Sequence, residues 1–204
     1  MKELNIVLAG VGGQGILLAA EILGTAALKE GLNVRVSEIH GMAQRGGSVI
    51  SNVRIGDKVL APTVLEGTAD VLLGFEPLET LRNLKFASEK TLVLMNNESI
   101  PPPELTTKMM NYPRLEEITE KIHAFTKNLI VIEAAKLAER AGSSLTQNIV
   151  LIGGLTATGK VPIKTESIRE AIRELVPAKY LDMNMKAFKL GYEVVQEKAK
   201  LMAL

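Results

Sequence analysis

No cysteine occurs among the 204 residues. That absence removes disulfides, thiolate zinc sites, a cysteine nucleophile and a Cys-ligated iron–sulfur cluster from this chain. Any such cluster has to sit on another chain. Zero cysteine also suits a reducing compartment. Tryptophan is absent, and the aromatic residues are four Phe and three Tyr. The core must therefore be aliphatic, and stacking platforms for single-stranded nucleic acid are missing. Neither sign of charge dominates: 24 basic and 23 acidic residues leave a net +1, which provides no field for steering nucleic acid. No run of about 18 uninterrupted apolar residues exists. The nearest approach, residues 16–28, is broken by Glu21 and is short enough for a buried helix. The opening MKELNIVLAG lacks the layout of a secretory signal. The expectation is a cytoplasmic protein without a membrane span or a nucleic-acid partner.

What is present is an apolar chain, 47% hydrophobic by composition. Its length fits one domain over residues 1–204 and allows burial of roughly 70% of the surface that the unfolded chain exposes. Residues 5–9 (NIVLA) read as a buried strand stopped by glycine, and residues 15–29 as a helix apolar on most faces, with Gly31 as its stop. Residues 33–37 alternate and read as a second strand, completing a β-α-β unit. After a glycine-rich loop, residues 48–55 alternate again. Gly56-Asp57 offers a turn into a hairpin partner at residues 58–61. Further strands are expected at residues 70–74, 91–96 and 108–112, with a short helix at 77–84 that has Pro at its first turn. Helices are expected from near Arg114, over 129–141 with Gly142 as stop, over 146–158, and over 166–175 capped by Thr165. The adjacent Gly153 and Gly154 mark a place where another backbone can approach. Leu181, Met185, Phe188, Tyr192, Val195, Ala199 and Met202 form a heptad-like seam on one last helix. That seam packs either on the chain's own sheet or on a partner. The fold class is α/β: a Rossmann-like three-layer domain with a mainly parallel sheet, an inserted β-hairpin and a helical C-terminal part.

Two segments could carry chemistry. The first is Gly10-Val11-Gly12-Gly13-Gln14-Gly15, which follows a strand and opens a helix. Gly10, Gly12 and Gly15 satisfy the G-x-G-x-x-G spacing. Glycine lets the chain turn sharply and brings N–H groups close to an anion at a helix N-terminus. A tight turn without a ligand gives the same pattern, so both readings stand. Glu38, at the end of the second strand, lies near where a ribose-binding acid belongs in a dinucleotide fold, which keeps an NAD(P)-dependent oxidoreductase open. The second segment runs from His40 through Arg45, Gly46 and Gly47 to Ser48, beyond the carboxyl end of that strand, the side on which open α/β sheets bind ligands. Arg45 beside two glycines can reach a carboxylate or phosphate. His40 can exchange a proton or simply form hydrogen bonds.

Other patterns fail. His123 is isolated from His40, so no zinc site follows. Ser48 and Ser51 lack the G-x-S-x-G frame of a serine hydrolase. GLTATGK, residues 154–160, departs from a phosphate loop because Val161 stands where Ser or Thr is needed.

In order, GVGGQG near the N-terminus and HGMAQRGGSV about 25 residues later resemble the gamma domain of 2-oxoacid:ferredoxin oxidoreductases, and the form GMAQRGG is most similar to the indolepyruvate type. The resemblance spans most of the chain, including the glycines near Gly153 and NMKAFKLG at 184–191. It implies an enzyme complex that oxidatively decarboxylates arylpyruvates with coenzyme A, giving acyl-CoA, CO2 and reduced ferredoxin. It also implies that thiamine diphosphate and the iron–sulfur clusters lie on a large alpha subunit, that ferredoxin accepts the electrons, and that this chain binds no cofactor alone and is inactive alone. Gly10, Gly12, Gly13, Gln14 and Gly15 would line one loop on the coenzyme A side, and Arg45, Gly46 and Gly47 a second. No catalytic residue and no metal site is expected here. A free-standing NAD(P)-binding oxidoreductase and a purely structural subunit remain as alternatives.

Overall fold

The computed structural model describes residues 3–40, 46–101 and 111–202. In chain order the elements are β1 (Leu4–Val11), α1 (Ile16–Lys29), β2 (Asn33–His40), β3 (Ser48–Gly56), β4 (Ala69–Gly74), α2 (Pro77–Arg82), β5 (Ala87–Asn96), α3 (Leu115–Phe125), β6 (Leu129–Ile132), α4 (Ala134–Ala141), α5 (Gln147–Ala157), α6 (Thr165–Leu175) and α7 (Leu181–Met202). The strands form one six-stranded sheet in the order β2-β3-β1-β4-β5-β6. β1, β4, β5 and β6 run parallel, whereas β3 is antiparallel to both of its neighbours. The α/β class with a mainly parallel sheet is as the sequence leads one to expect.

Alternation along the strands divides the molecule into layers. Ile6 and Leu8 of β1 join one core with residues of α1, α4, α5, α6 and α7. Val7 and Ala9 join the other core with Leu78, Ile118 and Ile122 of α2 and α3. No helix among the described residues is long and apolar enough to cross a membrane.

Four local expectations are corrected. The hairpin forms between β2 and β3, with Asn33 opposite Gly56 and His40 opposite Val49, and not between β3 and residues 58–61. Residues 58–61 pair with no strand, because β3 already has β1 on one edge and β2 on the other; the Arg54 guanidinium donates to the Ala61 carbonyl (2.8 Å). β3 also pairs along β1 from Leu4–Ile55 to Val11–Ser48, so the expected β-α-β unit is split by an antiparallel strand. Residues 129–132 form a strand and the helix begins at Ala134. Three of the four residues in LIVI are β-branched, and their stiff side chains favour the sheet. Thr165 is the first residue of α6 rather than its cap; Lys164 holds the cap position without a side-chain hydrogen bond. The expected strand at 108–112 falls mostly outside the described residues, and Asn111 and Tyr112 are not in a strand.

The C-terminal helix rests mainly on another helix and touches the sheet only lightly, at β6. α5 is buried from Asn148 to Thr156, with the sheet on one side and α7 on the other. Glycines set this crossing. A Cβ on Gly153 would lie 2.1 Å from the Phe188 carbonyl oxygen, and one on Gly191 would lie 1.9 Å from the Val150 carbonyl oxygen. The stripe of α7 buried there is Asn184, Ala187, Phe188, Gly191 and Val195. Of the expected seam, Leu181, Met185, Tyr192 and Ala199 stay half-buried.

Because the collisions at Gly191 involve backbone, Gly191→Val should separate α5 from α7, cost about 3 kcal/mol by overpacking, and lower the melting midpoint by roughly 6–12 °C. Gly24, in the middle of α1, is the contrast. A Cβ there meets Val36 at an ordinary 3.5 Å, so Gly24→Ala should be neutral or stabilising by up to about 1 kcal/mol. Thermal unfolding of both variants checks the pair, and equal melting points would refute the backbone-contact account.

Candidate functional site

α1 leaves β1 toward one face of the sheet, and α2 leaves the adjacent parallel β4 toward the other. This divergence opens a crevice at the carboxyl ends of β1 and β4, the switch point where α/β sheets bind ligands. The GVGGQG loop lies there. Gly13 has φ +103° and Gly15 φ +74°, a region L side chains rarely adopt. Gly15 takes the N-cap position of α1 and accepts a hydrogen bond on its carbonyl oxygen from Asn148 Nδ2 (3.2 Å), at the start of α5. At Gly10 the constraint is space: a Cβ would lie 2.6 Å from Phe75 Cβ.

The two segments singled out in the sequence meet. The Gly12 N–H donates to the Gly47 carbonyl (2.9 Å), and Gly46, with φ +73°, turns the chain into β3. Arg45 and residues 41–44 lie outside the described residues. Gln14 sits within the loop, but its side chain serves the protein's own backbone. Its Oε1 accepts from Val11 N–H (2.8 Å), and its Nε2 donates to the Phe75 carbonyl (2.9 Å). Gln14 thereby staples the loop to the end of β4. The N–H groups of Gly13 and Gly15 have no acceptor among the described residues, and the first turn of α1 has its orphan donors. A ligand approaching the loop would meet these groups, not the Gln14 amide.

Glu38 lies elsewhere. It pairs with Ser51 of β3, which in turn pairs with Leu8 of β1. Two strand spacings, about 9.6 Å, therefore separate it from β1, because β3 stands where a dinucleotide fold would place β2. His40 ends β2 opposite Val49. His123 is exposed in the last turn of α3. Gly154 through Ala157 lie within α5, so GLTATGK forms no phosphate loop.

The sequence reading missed a polar cluster beside the loop. Glu76, two residues after the end of β4, is 1% exposed and caps α2 by accepting from Glu79 N–H (2.8 Å). Its other oxygen accepts from the Tyr112 hydroxyl and from Ile100 N–H (3.3 Å). Glu79 is also buried; it accepts from Ser48 Oγ (2.6 Å) and pairs with Arg82 (2.6 Å). Asn96 donates to Phe75 and Gln147 carbonyl-type oxygens and accepts from Ala134 N–H, joining β4, β5, α4 and α5 at one point. Burial raises the Glu76 carboxyl above its ordinary value despite three donors that favour the charge, and neighbouring Glu79 adds to the rise. Burial, then the Glu76 hydrogen bond, also raises the Tyr112 hydroxyl. The available signal was local: an acid before Pro77 with Glu79 three positions on resembles a helix start. Tyr112 is 36 positions from Glu76, and no local pattern reveals it.

Comparison with known proteins now bears on this geometry. The family model described as "Pyruvate ferredoxin/flavodoxin oxidoreductase" matches residues 5–194. Indolepyruvate oxidoreductase subunit IorB of Pyrococcus horikoshii is 50% identical over 202 residues, covering 98% of this chain and 100% of that one. The gamma subunit of keto/oxoacid ferredoxin oxidoreductase from Geobacter sulfurreducens superimposes with a TM-score of 0.68 at 24% identity, covering 95% of this chain and 99% of that one. 2-Oxoglutarate:ferredoxin oxidoreductase from Magnetococcus marinus, solved with 2-oxoglutarate, coenzyme A and succinyl-CoA bound, superimposes with a TM-score of 0.73 at 20% identity, over 97% of this chain and 32% of that one. These two structures show the fold. The class of protein follows from the family match over residues 5–194 and the full-length relative: a subunit of an oxoacid-oxidising complex. The chain belongs to the pyruvate ferredoxin/flavodoxin oxidoreductase family, as a subunit of a 2-oxoacid ferredoxin oxidoreductase.

The raised carboxyl of Glu76 predicts a sign. Between the ordinary value of 4.5 and the raised folded-state value, the native protein holds one more proton than the unfolded chain. Stability from this group must therefore fall as pH rises through that window. Denaturant unfolding of wild type and Glu76→Gln across the window should give a stability difference that shifts against wild type with increasing pH. A flat difference, or one of opposite slope, would show that Glu76 is not held above its ordinary value.

Proposed function

We propose that this chain is the small, non-autonomous subunit of an indolepyruvate-type 2-oxoacid:ferredoxin oxidoreductase, a single gamma-type domain over residues 1–204 working in the cytoplasm. The observation that carries the reading is the 50% identity to an indolepyruvate oxidoreductase subunit along essentially the whole length of both chains. In this reading the complex converts an arylpyruvate and coenzyme A to acyl-CoA and CO2, and passes the electrons to ferredoxin. Thiamine diphosphate and the iron–sulfur clusters belong to the large alpha subunit. One feature of this chain fits that division: it has no cysteine to ligate a cluster.

The part left to this chain is the coenzyme A side. The donors at Gly13, Gly15 and the first turn of α1, with the positive end of the helix behind them, suit a phosphate. Gly12 is engaged with Gly47 and fixes the second segment, at Gly46 and Gly47, against the first; Arg45 stands two positions before Gly47 in the sequence. Gly10 and Gln14 hold the loop in shape. The NAD(P)-dependent alternative loses its ribose-binding acid, since Glu38 lies two strands from β1.

The purified chain should be colourless and should not turn over indolepyruvate, coenzyme A and ferredoxin; addition of the large subunit should restore turnover. Activity of the single chain would refute the assignment. In the reconstituted complex, Gly13→Val removes a conformation favoured by glycine and obstructs the donors. It should raise KM for coenzyme A more than KM for the oxoacid, whereas equal effects would indicate a structural role. Arg45→Ala should leave the melting point of the free subunit unchanged and weaken coenzyme A use by about 1.5–3 kcal/mol, the range of a charge-assisted hydrogen bond. Unchanged kinetics and association would make Arg45 an ordinary surface residue.

A further inference from the structure

α7 uses one stripe to cover α5, and the adjacent stripe faces a groove. On its far wall stand Thr165 and Arg169 of α6; Met185, Phe188 and Tyr192 of α7 form an apolar floor, and the groove's volume is about 700 Å³. The Phe188 and Tyr192 rings lie 6.3 Å apart and tilted by 30°. From Met185 to Gln196 the groove follows α7 for eleven residue steps, about 16 Å at 1.5 Å each, the length of three helical turns.

The rim is cationic. Arg169, Lys186 and Lys189 face one carboxylate, Glu193, which stands 3.7 Å from Lys189. Glu166 neutralises Arg169 weakly: it is 3.9 Å from that guanidinium and 2.7 Å from Arg173. Arg169 Nε is shielded from solvent and has no hydrogen-bond acceptor. Leaving a buried donor unpaired is costly.

We propose, building on the subunit assignment above, that this groove seats an acidic amphipathic helix of the large partner subunit. Its apolar face would lie on Met185, Phe188 and Tyr192, and its carboxylates against Arg169, Lys186 and Lys189, in the manner of helix-in-groove recognition. Shape favours this occupant over a small molecule. Small-ligand sites enclose most of the ligand surface, whereas Thr165, Lys186, Lys189, Glu193 and Gln196, five of the nine lining residues, are exposed. The result is a trough open along its length. Charge favours it over a second copy, because α6 and α7 would then bring like-charged rims together.

The test uses the native complex and the isolated subunit. Lysine acetylation footprinting should show Lys186 and Lys189 reacting at least tenfold more slowly in the complex. The double substitution Arg169→Glu with Lys189→Glu should weaken association with the large subunit at least tenfold and flatten its salt dependence, while the free subunit melts as wild type does. If the double variant melts early, Lys189→Glu alone, at an exposed position, carries the same test. Equal lysine reactivity in both states with unchanged association would overturn the groove assignment and leave the subunit reading intact. Protection arising from self-association of the isolated chain would overturn it in favour of a second copy. Failure of the wild-type chain to bind the large subunit at all would instead overturn the subunit reading on which the proposal rests.

Discussion

The arrangement of the site depends on where β3 lies. An antiparallel strand between β1 and β2 must begin at the edge where β1 ends, because its direction is reversed. Val11 is consequently opposite Ser48, and Gly47, just before β3, is delivered to the first glycine loop. The Gly12–Gly47 hydrogen bond is the last rung of that pairing continued beyond the strands. With β3 at the far edge of the sheet, the two glycine segments would belong to separate places. The same insertion moves Glu38 outward and disables the dinucleotide geometry that the N-terminal motif by itself suggests.

Around this mouth, buried and half-buried polar groups are held by the ends of several elements. Gln14 joins β1 to β4, Asn96 joins β5 to α4 and α5, and Glu76 joins β4 to Ile100 and Tyr112. Each uses a side chain to satisfy backbone donors or acceptors that strand and helix termini leave unpaired. Desolvation opposes the charge on Glu76, so this site is held at some cost in stability. A fixed geometry at the crevice is what that cost maintains.

The parts legible in the sequence were those whose physics is local. Glycines after an apolar strand located the loop; the apolar run of α1 and the stop at Gly31 bounded a helix; Gly153 and Gly154 announced a close approach, which the structure assigns to Phe188 and Val195. The parts that were not legible depend on distant partners. Residues 129–132 are apolar without useful periodicity, and only pairing with β5 makes them a strand. Residues 58–61 follow a Gly-Asp turn as a hairpin partner would, yet both edges of β3 are taken by β1 and β2. The Glu76–Tyr112 contact has no sequence signature. The terminal seam was visible as a pattern but misplaced by part of a turn, because the close approach of Gly191 selects a neighbouring stripe.

The enclosure of α5 bears on how the chain is made. This helix is apolar on nearly every side, and one of those sides is covered only by α7, whose last residues lie some 45 positions further on. At about 5–20 residues per second, a ribosome needs roughly 2–9 s to supply them. During that interval the nascent chain carries an uncovered apolar helix, which makes α7, far in sequence from the glycine loops, the segment that completes the core around α5.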